Sequence, residues 1–326
     1  MRSVAFNPVN PDQLASGSRD KTIRIWDLTT SAAVRVLESP GEVWAVAYSP
    51  DGRWLASAGR RPEVLLWDLD RAGAAPSLLP LPGIARTGIA DTNWVNILAF
   101  GEIDGEPVLG AGSEDGMVRL WWDWQEGDVD PVVLQPDTDG RLEPINALAF
   151  SPSAPLVAAG GDDFSVRLWH IDGEEGAAEL AVLPGTAAVI NALAFSPDGR
   201  WLASGDGGVE HTIMMWDLHG SDRPPLWERL ADRDPTAEID RPYVFRRHQE
   251  WVYALAFGVG PSGDLRLVSG GKDRTVQVWR TDPGEMATDL CRALKASSTG
   301  IDLSGLWPTY VSQQIVYQKA FDCPML

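Results

Sequence analysis

The sequence predicts an all-β fold in which one small sheet recurs along the chain, and three observations lead there. A turn, an alternating apolar run and a Trp recur: SGSRDKTIRIWD at residues 16–27 returns as GSEDGMVRLWWD from Gly112, GGDDFSVRLWH from Gly160 and GGKDRTVQVWR from Gly270. Shorter alternating runs ending in an aromatic precede each copy, at Phe6, Tyr48, Phe100, Phe150, Phe195 and Phe257. No helical period of useful length appears before about residue 284. Period-two alternation rich in aromatic and β-branched residues is the pattern of strands.

Each repeat justifies its elements in order. The first strand is the run ending in the aromatic. A turn follows, Ser-Pro-Asp-Gly at residues 49–52 and 196–199, where Pro presets one dihedral and Gly accepts a positive φ. The second strand is small and apolar, as in WLASAG and WLASGD. A tight turn leads to a third strand ending at Trp26, Trp67, Trp121, Trp169, Trp216 or Trp279. These Trp residues are 41, 54, 48, 47 and 63 apart. The shortest interval matches one four-stranded propeller blade, about 40–45 residues. The longer ones carry extra loop, chiefly residues 70–93 and 219–250, and PLWERLADRD, containing Trp227, predicts a short helix after Pro225.

These repeats resemble WD repeats. The Trp-Asp pair is intact at Trp26-Asp27, Trp67-Asp68 and Trp216-Asp217, and its Asp is lost at Trp121-Trp122, Trp169-His170 and Trp279-Arg280. The resemblance covers residues 1–280 and implies a WD-type β-propeller with six recognisable blades, or seven if a segment is missing. It implies that the residue six before each Trp anchors the turn: Asp20, Arg61, Asp115, Asp163, Glu210 and Asp273. The last repeat alone holds a complete His–Ser–Asp–Trp set, His248, Ser269, Asp273 and Trp279. A catalytic His-Asp dyad is the alternative, and it is disfavoured because the same Asp recurs where no His exists. The turn of the second repeat, with Arg61-Pro62, should be less well anchored.

Composition narrows the function. The net charge of -19 offers no basic footprint for nucleic acid or an anionic membrane. No apolar stretch approaches a membrane span, and the N-terminal run has no signal-peptide core, so a cytoplasmic protein is expected. The four His show no metal-ligand spacing, and the acidic run at residues 126–143 lacks a calcium-loop spacing. GAGSEDG and SGGK open no helix and do not read as phosphate loops. The expectation is therefore no catalytic residues, no metal and no cofactor. The partner would be a protein or peptide, bound by a scaffold or sensor.

Propellers of this family commonly bind on the face where the first strands surround the channel. By register the leading positions here are Arg2, Trp44, Asn96, Asn146, Asn191 and Tyr253. Trp94 and Trp251 lie two residues upstream in their repeats, and Arg19, Arg60, Glu114, Asp162 and Lys272 lie just before the turn positions. Trp, Tyr and Arg are the residue types enriched in binding hot spots. Trp44, Trp94, Trp251, Tyr253, Arg19, Arg60, Glu114, Asp162 and Lys272 are therefore the candidate binding residues.

Residues 281–326 read as a C-terminal helical tail packing on the propeller, with Asp282 capping and Pro283 opening a helix. The run QQIVYQKAF could instead lend the last sheet its outer strand. The tail is similar to those of bacterial multidomain WD-repeat signalling proteins, which implies, as an alternative function, the autoinhibitory sensor end of a larger NTPase or effector protein. Cys291 and Cys323 are expected as free buried thiols.

Overall fold

A computed structural model describes residues 1–71, 73–81, 94–127, 129–137, 142–173, 176–183, 188–219 and 242–282. The fold is all-β, built from six propeller blades. The chain divides into two compact units, Met1–Val182 and Leu183–Leu326.

The first unit holds four sheets. The first is β1 (Ser3–Phe6), β2 (Gln13–Gly17), β3 (Thr22–Asp27) and β4 (Ala32–Glu38). The second is β5 (Val43–Tyr48), β6 (Trp54–Gly59), β7 (Arg61–Asp68) and β8 (Ser77–Pro80). The third is β9 (Val95–Ile103), β10 (Glu106–Ser113), β11 (Val118–Trp121) and β12 (Val132–Leu134). The fourth is β13 (Ile145–Phe150), β14 (Leu156–Gly161), β15 (Val166–Asp172) and β16 (Gly176–Leu183), its last residue falling at the division. The second unit holds β17 (Ile190–Phe195), β18 (Trp201–Asp206), β19 (Thr212–Asp217) and β20 (Tyr243–Arg246), then β21 (Val252–Val259), β22 (Leu265–Gly271) and β23 (Val276–Arg280). Strands in every sheet are ordered as in the chain, and the last sheet has three strands among the described residues.

The first two turns of each sheet use different chemistry. In the Ser-Pro-Asp-Gly turns, Gly52 and Gly199 take φ of 69° and 70°, and their N–H groups donate to Ser49 and Ser196 carbonyls at 2.8 Å. Between the second and third strands the left-handed residue follows the Asp: Lys21, Gly116, Phe164 and Arg274, with φ between 63° and 79°. Three of those four are not glycine and carry backbone strain. The preceding Asp offsets it by accepting the N–H two residues on, at 3.0 Å from Thr22, 3.1 Å from Met117, 3.0 Å from Ser165 and 2.9 Å from Thr275.

Within each unit, sheets stack face to face through apolar clusters. In the first unit one cluster joins the first and second sheets through Ile25, Val43 and Leu55, another joins the second and third through Leu66, Val95 and Trp124, and a third joins the third and fourth through Leu120, Ile145 and Trp169. In the second unit Trp201, Ile213, Val252 and Leu267 form the core between its two sheets. The terminal Trp is buried in the second to fifth sheets (Trp67, Trp121, Trp169, Trp216) and half-buried at Trp26 and Trp279.

A bulge recurs in five sheets. Val43 pairs with Gly59 and Ala45 with Ala58, so Trp44 is left without a partner. The same two-against-one pairing leaves out Asn96, Asn146, Asn191 and Tyr253. A bulge bends its strand and re-aims one side chain. The helix expected after Pro225, the C-terminal tail helix, the strand-forming run QQIVYQKAF and Cys291 and Cys323 lie outside the described residues.

Gly59 and Gly161 sit opposite two of these bulges, where a Cβ would strike the backbone carbonyls of Glu42 and Pro144. Gly161→Ala should therefore lower stability by about 1–3 kcal/mol through overpacking. Gly258→Ala, where a Cβ meets nothing within 4 Å, should cost almost nothing. Urea denaturation of both variants checks the contrast, and equal midpoints would remove the bulge argument.

Candidate functional site

Within a unit, the bulges leave the leading residues of neighbouring first strands unpaired at one edge of their sheets. In the first unit β1 packs beside β5, β5 beside β9 and β9 beside β13, so their leading residues are neighbours. The Trp44 and Trp94 rings meet edge to face, with centroids 5.0 Å apart at 77°. The Arg2 guanidinium lies 5.2 Å from the Trp44 ring, and that of Arg60 lies 5.0 Å from the Trp94 ring. Cations over indole faces are attracted by the ring quadrupole. The Trp44 indole N–H donates to Glu42 Oε2 at 3.1 Å, and Arg19 lies 3.9 Å from the same oxygen. The Trp94 indole N–H is buried and has no acceptor among the described residues.

The chemistry changes beyond Trp94. Asn96 Nδ2 donates to Glu114 Oε2 at 3.1 Å and to the Ile145 carbonyl at 3.2 Å. Asn146 Nδ2 donates to Asp162 Oδ1 at 2.6 Å. The first two sheets and the Trp94 that leads into the third thus present a cationic, aromatic surface, and the third and fourth sheets beyond it an amide and carboxylate surface. The bulged Asn residues hold the acids in place.

The second unit carries its own group. The Trp251 and Tyr253 ring centroids are 6.1 Å apart, and Lys272 Nζ lies 4.9 Å from the Trp251 ring and 3.5 Å from Glu250. Trp251 is 40% exposed and Tyr253 50%, which distinguishes them from the core aromatics.

His248, Ser269, Asp273 and Trp279 also meet. His248 Nδ1 is 2.8 Å from Asp273 Oδ2, and His248 Nε2 is 2.7 Å from Ser269 Oγ. The Trp279 indole donates to the same Ser269 oxygen at 2.8 Å. The spacing is that of a Ser-His-Asp triad, but its surroundings differ. Ser269 is fully buried, and its oxygen already accepts a hydrogen bond from the Trp279 indole N–H. With the carboxylate accepting from Nδ1, Nε2 accepts from the Ser269 hydroxyl and every member is satisfied. The Ser269 oxygen is thus enclosed, with the His248 ring and the Trp279 indole both bonded to it.

Other sheets hold the turn acid differently, and the sequence reading overlooked how. Arg119, fully buried, reaches Asp115 Oδ2 at 2.7 Å and Ser113 Oγ at 2.8 Å. Arg167 reaches Asp163 Oδ2 at 2.9 Å and Glu179 Oε1 at 2.9 Å. Arg24 lies 3.2 Å from Asp20 on the surface. The buried arginines stand opposite Ala111 and Ala159, where the sixth sheet has Ser269 opposite Gln277. The available signal was Asp-x-x-x-Arg-x-Trp, present in all three repeats. In the fifth sheet the position assigned to Glu210 is corrected: Asp206 accepts the Thr212 N–H at 3.1 Å and its hydroxyl, while Glu210 pairs with Arg246. The insertion lengthens that turn, so the acid at the end of the second strand reaches across it. In the second sheet Arg61 pairs with Glu63 at 2.9 Å instead of anchoring a turn.

Among the described residues no three His, Cys, Asp or Glu converge as a metal site, and no helix is long and apolar enough to cross a membrane.

The pattern of the family described as WD domain, G-beta repeat matches residues 1–27, 32–68, 137–170, 178–217 and 240–280. It passes over the third sheet, where Ala111 replaces the usual Ser and the Trp121 indole donates to the Val129 carbonyl at 3.2 Å. The chain is 27% identical over 283 residues to a protein named Protein LST8 homolog from Drosophila melanogaster, covering 85% of this chain and 78% of that one. It is 28% identical over 326 aligned positions to Small ribosomal subunit protein RACK1y from Oryza sativa subsp. japonica, covering 83% and 89%. These relatives lend no support to the resemblance with bacterial signalling proteins.

Two predictions concern the turn acids. Replacing Arg119 by Leu strands a largely buried carboxylate and should cost about 3 kcal/mol, and adding Asp115→Asn should recover part of it. A double-mutant cycle in urea measures the coupling. The second concerns pH. Burial pushes Asp115 up, but hydrogen bonds from Arg119 and Ser113 outweigh it and hold the carboxyl below its usual range. Asp273 is likewise held down against burial, by the Gln249 and Thr275 N–H groups and His248. Thr22 leads the groups that bring Asp20 to about 2. Folded values lie below the unfolded value of about 3.9, so their stabilisation is full above that value and is lost as pH falls through the folded ones. The urea midpoint should drop below about pH 4, and less steeply in Asp115→Asn.

Proposed function

This chain belongs to the WD domain, G-beta repeat family, and from that premise we propose that it is a non-catalytic module that holds a protein or peptide partner through the bulged residues and their neighbours within its units. One observation carries the reading: aromatic rings stacked with cations gather where the first strands begin, at Trp44, Trp94, Arg2 and Arg60 in one unit and at Trp251, Tyr253 and Lys272 in the other. Such side chains bury large apolar area with little rotamer entropy to lose, and they dominate interface energetics. Arg19, Glu114 and Asp162 flank them and set charge preference. The satisfied, buried Ser269–His248–Asp273 set supports a binding role over a hydrolytic one. The net charge of -19 argues for a protein partner over nucleic acid or an anionic membrane. One relative is named as a protein of the small ribosomal subunit. We take from it that a chain of this fold can work inside an assembly.

Selection of a displayed random peptide library on the full chain tests the proposal. Binders should emerge that lose at least about tenfold in affinity to Trp44→Ala/Trp94→Ala or to Trp251→Ala/Tyr253→Ala, consistent with hot-spot losses above 1 kcal/mol. Binders indifferent to both pairs would place recognition elsewhere.

A further inference from the structure

We propose that the second unit takes a peptide carboxylate at Asn191 and Lys272, beside the Trp251 ring, an inference that rests on the binding role above and names its partner chemistry. Comparison of the repeats carries it. In the third, fourth and fifth sheets the bulged residue is Asn: Asn96, Asn146 and Asn191. The residue that follows the second strand lies across from it, and its N–H donates to the carbonyl just ahead of the first strand: Glu114 to Trp94 at 2.9 Å, Asp162 to Pro144 at 3.0 Å and Gly207 to Val189 at 2.8 Å. Two of these three residues are acids, and each accepts a hydrogen bond from its Asn, Glu114 at 3.1 Å and Asp162 at 2.6 Å. The third is glycine, so the fifth sheet keeps the donor and lacks the carboxylate.

The geometry shows the consequence. Asn191 Nδ2 is buried and has no acceptor among the described residues. It lies over Gly207, where a Cβ would stand 2.6 Å from it and 3.3 Å from the Trp251 ring. A buried donor without an acceptor is costly. Asn191 as a whole is only half-buried, and no side chain at position 207 blocks its amide from turning toward the edge. A ligand oxygen there supplies the acceptor that Glu114 and Asp162 supply in their own sheets.

A charge and an apolar surface adjoin this donor. In the sixth sheet Lys272 holds the position that Gly207 holds in the fifth, its N–H donating to the Trp251 carbonyl at 2.8 Å. Its Nζ lies 4.9 Å from the Trp251 ring centroid and pairs with Glu250 at 3.5 Å, both side chains being exposed. An exposed pair of this kind is weak, and an ammonium has three donors, so Lys272 can meet a ligand carboxylate while keeping Glu250. A charge-assisted bond from Lys272 favours a carboxylate over a neutral carbonyl. The exposed Trp251 and Tyr253 rings, with centroids 6.1 Å apart, cover an apolar side chain next to the acid. The ligand is thus a carboxylate with an adjoining apolar side chain, from an internal Asp or Glu or from a peptide C-terminus.

Fluorescence polarisation on the full chain tests this with three labelled nonapeptides in a Gly/Ser background. One carries Leu-Glu at its centre and one Leu-Gln, both with amidated C-termini, and the third ends in Leu with a free carboxylate. At least one carboxylate peptide should bind about tenfold tighter than the Leu-Gln amide, and the one that does identifies the source of the carboxylate. Gly207→Asp gives Asn191 the acid that the third and fourth sheets have, and should weaken that peptide by about tenfold. Lys272→Gln should weaken it by about threefold, as an exposed charge contact predicts. Thermal unfolding of both variants checks that they fold. Equal binding of the Leu-Gln amide overturns the proposal, as does carboxylate binding that neither variant weakens. If none of the three peptides binds while library binders still depend on Trp251 and Tyr253, the carboxylate preference fails and the binding role stands. If library binders ignore those two residues and Trp44 and Trp94 as well, the binding role itself fails.

Discussion

The small residues of the second strands are the constraint on which the stacking of sheets depends. A blade must receive the side chains of its neighbour's first strand, and the receiving strand makes room by having almost none. A Cβ on Gly17 would come within 2.6 Å of Val43 Cγ1, one on Gly112 within 2.6 Å of Ile145 Cγ2, and one on Gly205 within 2.6 Å of Val252 Cγ1. Glycine weakens a strand taken alone. Here the loss is offset by close packing between sheets, where Val43, Ile145 and Val252 are almost completely buried. The Ala, Ser and Gly bias of these segments is thus a record of sheet-to-sheet distance.

With that spacing set, each turn acid needs a charge or hydrogen-bond partner. The chain uses two solutions. One brings a His from the loop before the first strand and a Ser from the second, as at His248 and Ser269. The other places an Arg on the third strand across from Ala, as at Arg119 and Arg167. Where the guanidinium is buried, Ala in place of Ser leaves room for it, whereas Arg24, opposite Ser16, pairs with Asp20 at the surface. Both give the acid hydrogen-bond donors, which suits a left-handed residue that follows it and needs an anchored turn.

The bulge links this scaffold to the candidate binding edge. It leaves one residue per repeat unpaired at the start of the first strand. Those residues are free of the ladder's demand for apolar faces, so Trp44, Asn96, Asn146 and Tyr253 can differ from sheet to sheet while their neighbours Val43, Val95, Ile145 and Val252 stay apolar and buried. Partner chemistry can therefore vary at the edge without cost to the core.

Read alone, the sequence determined the all-β class, six recognisable repeats, the Ser-Pro-Asp-Gly turns and the order of strands within a repeat. These follow from local alternation and turn chemistry, which act over a few residues. It also placed the candidate residues in register, because every repeat ends at a Trp that serves as a ruler. Only the tertiary structure decided that Trp44 and Trp94 touch each other and carry Arg2 and Arg60. Residues 34 to 50 positions apart meet there, through packing of one sheet on the next. The same holds for Asp206, since an inserted turn breaks the count from the Trp and leaves the acid's reach to be settled by pairing across the hairpin. The buried Arg119 and Arg167 were written in the sequence as Asp-x-x-x-Arg-x-Trp, but an arginine in a strand reads as a solvent-facing residue until its neighbours show that it has an acid to face.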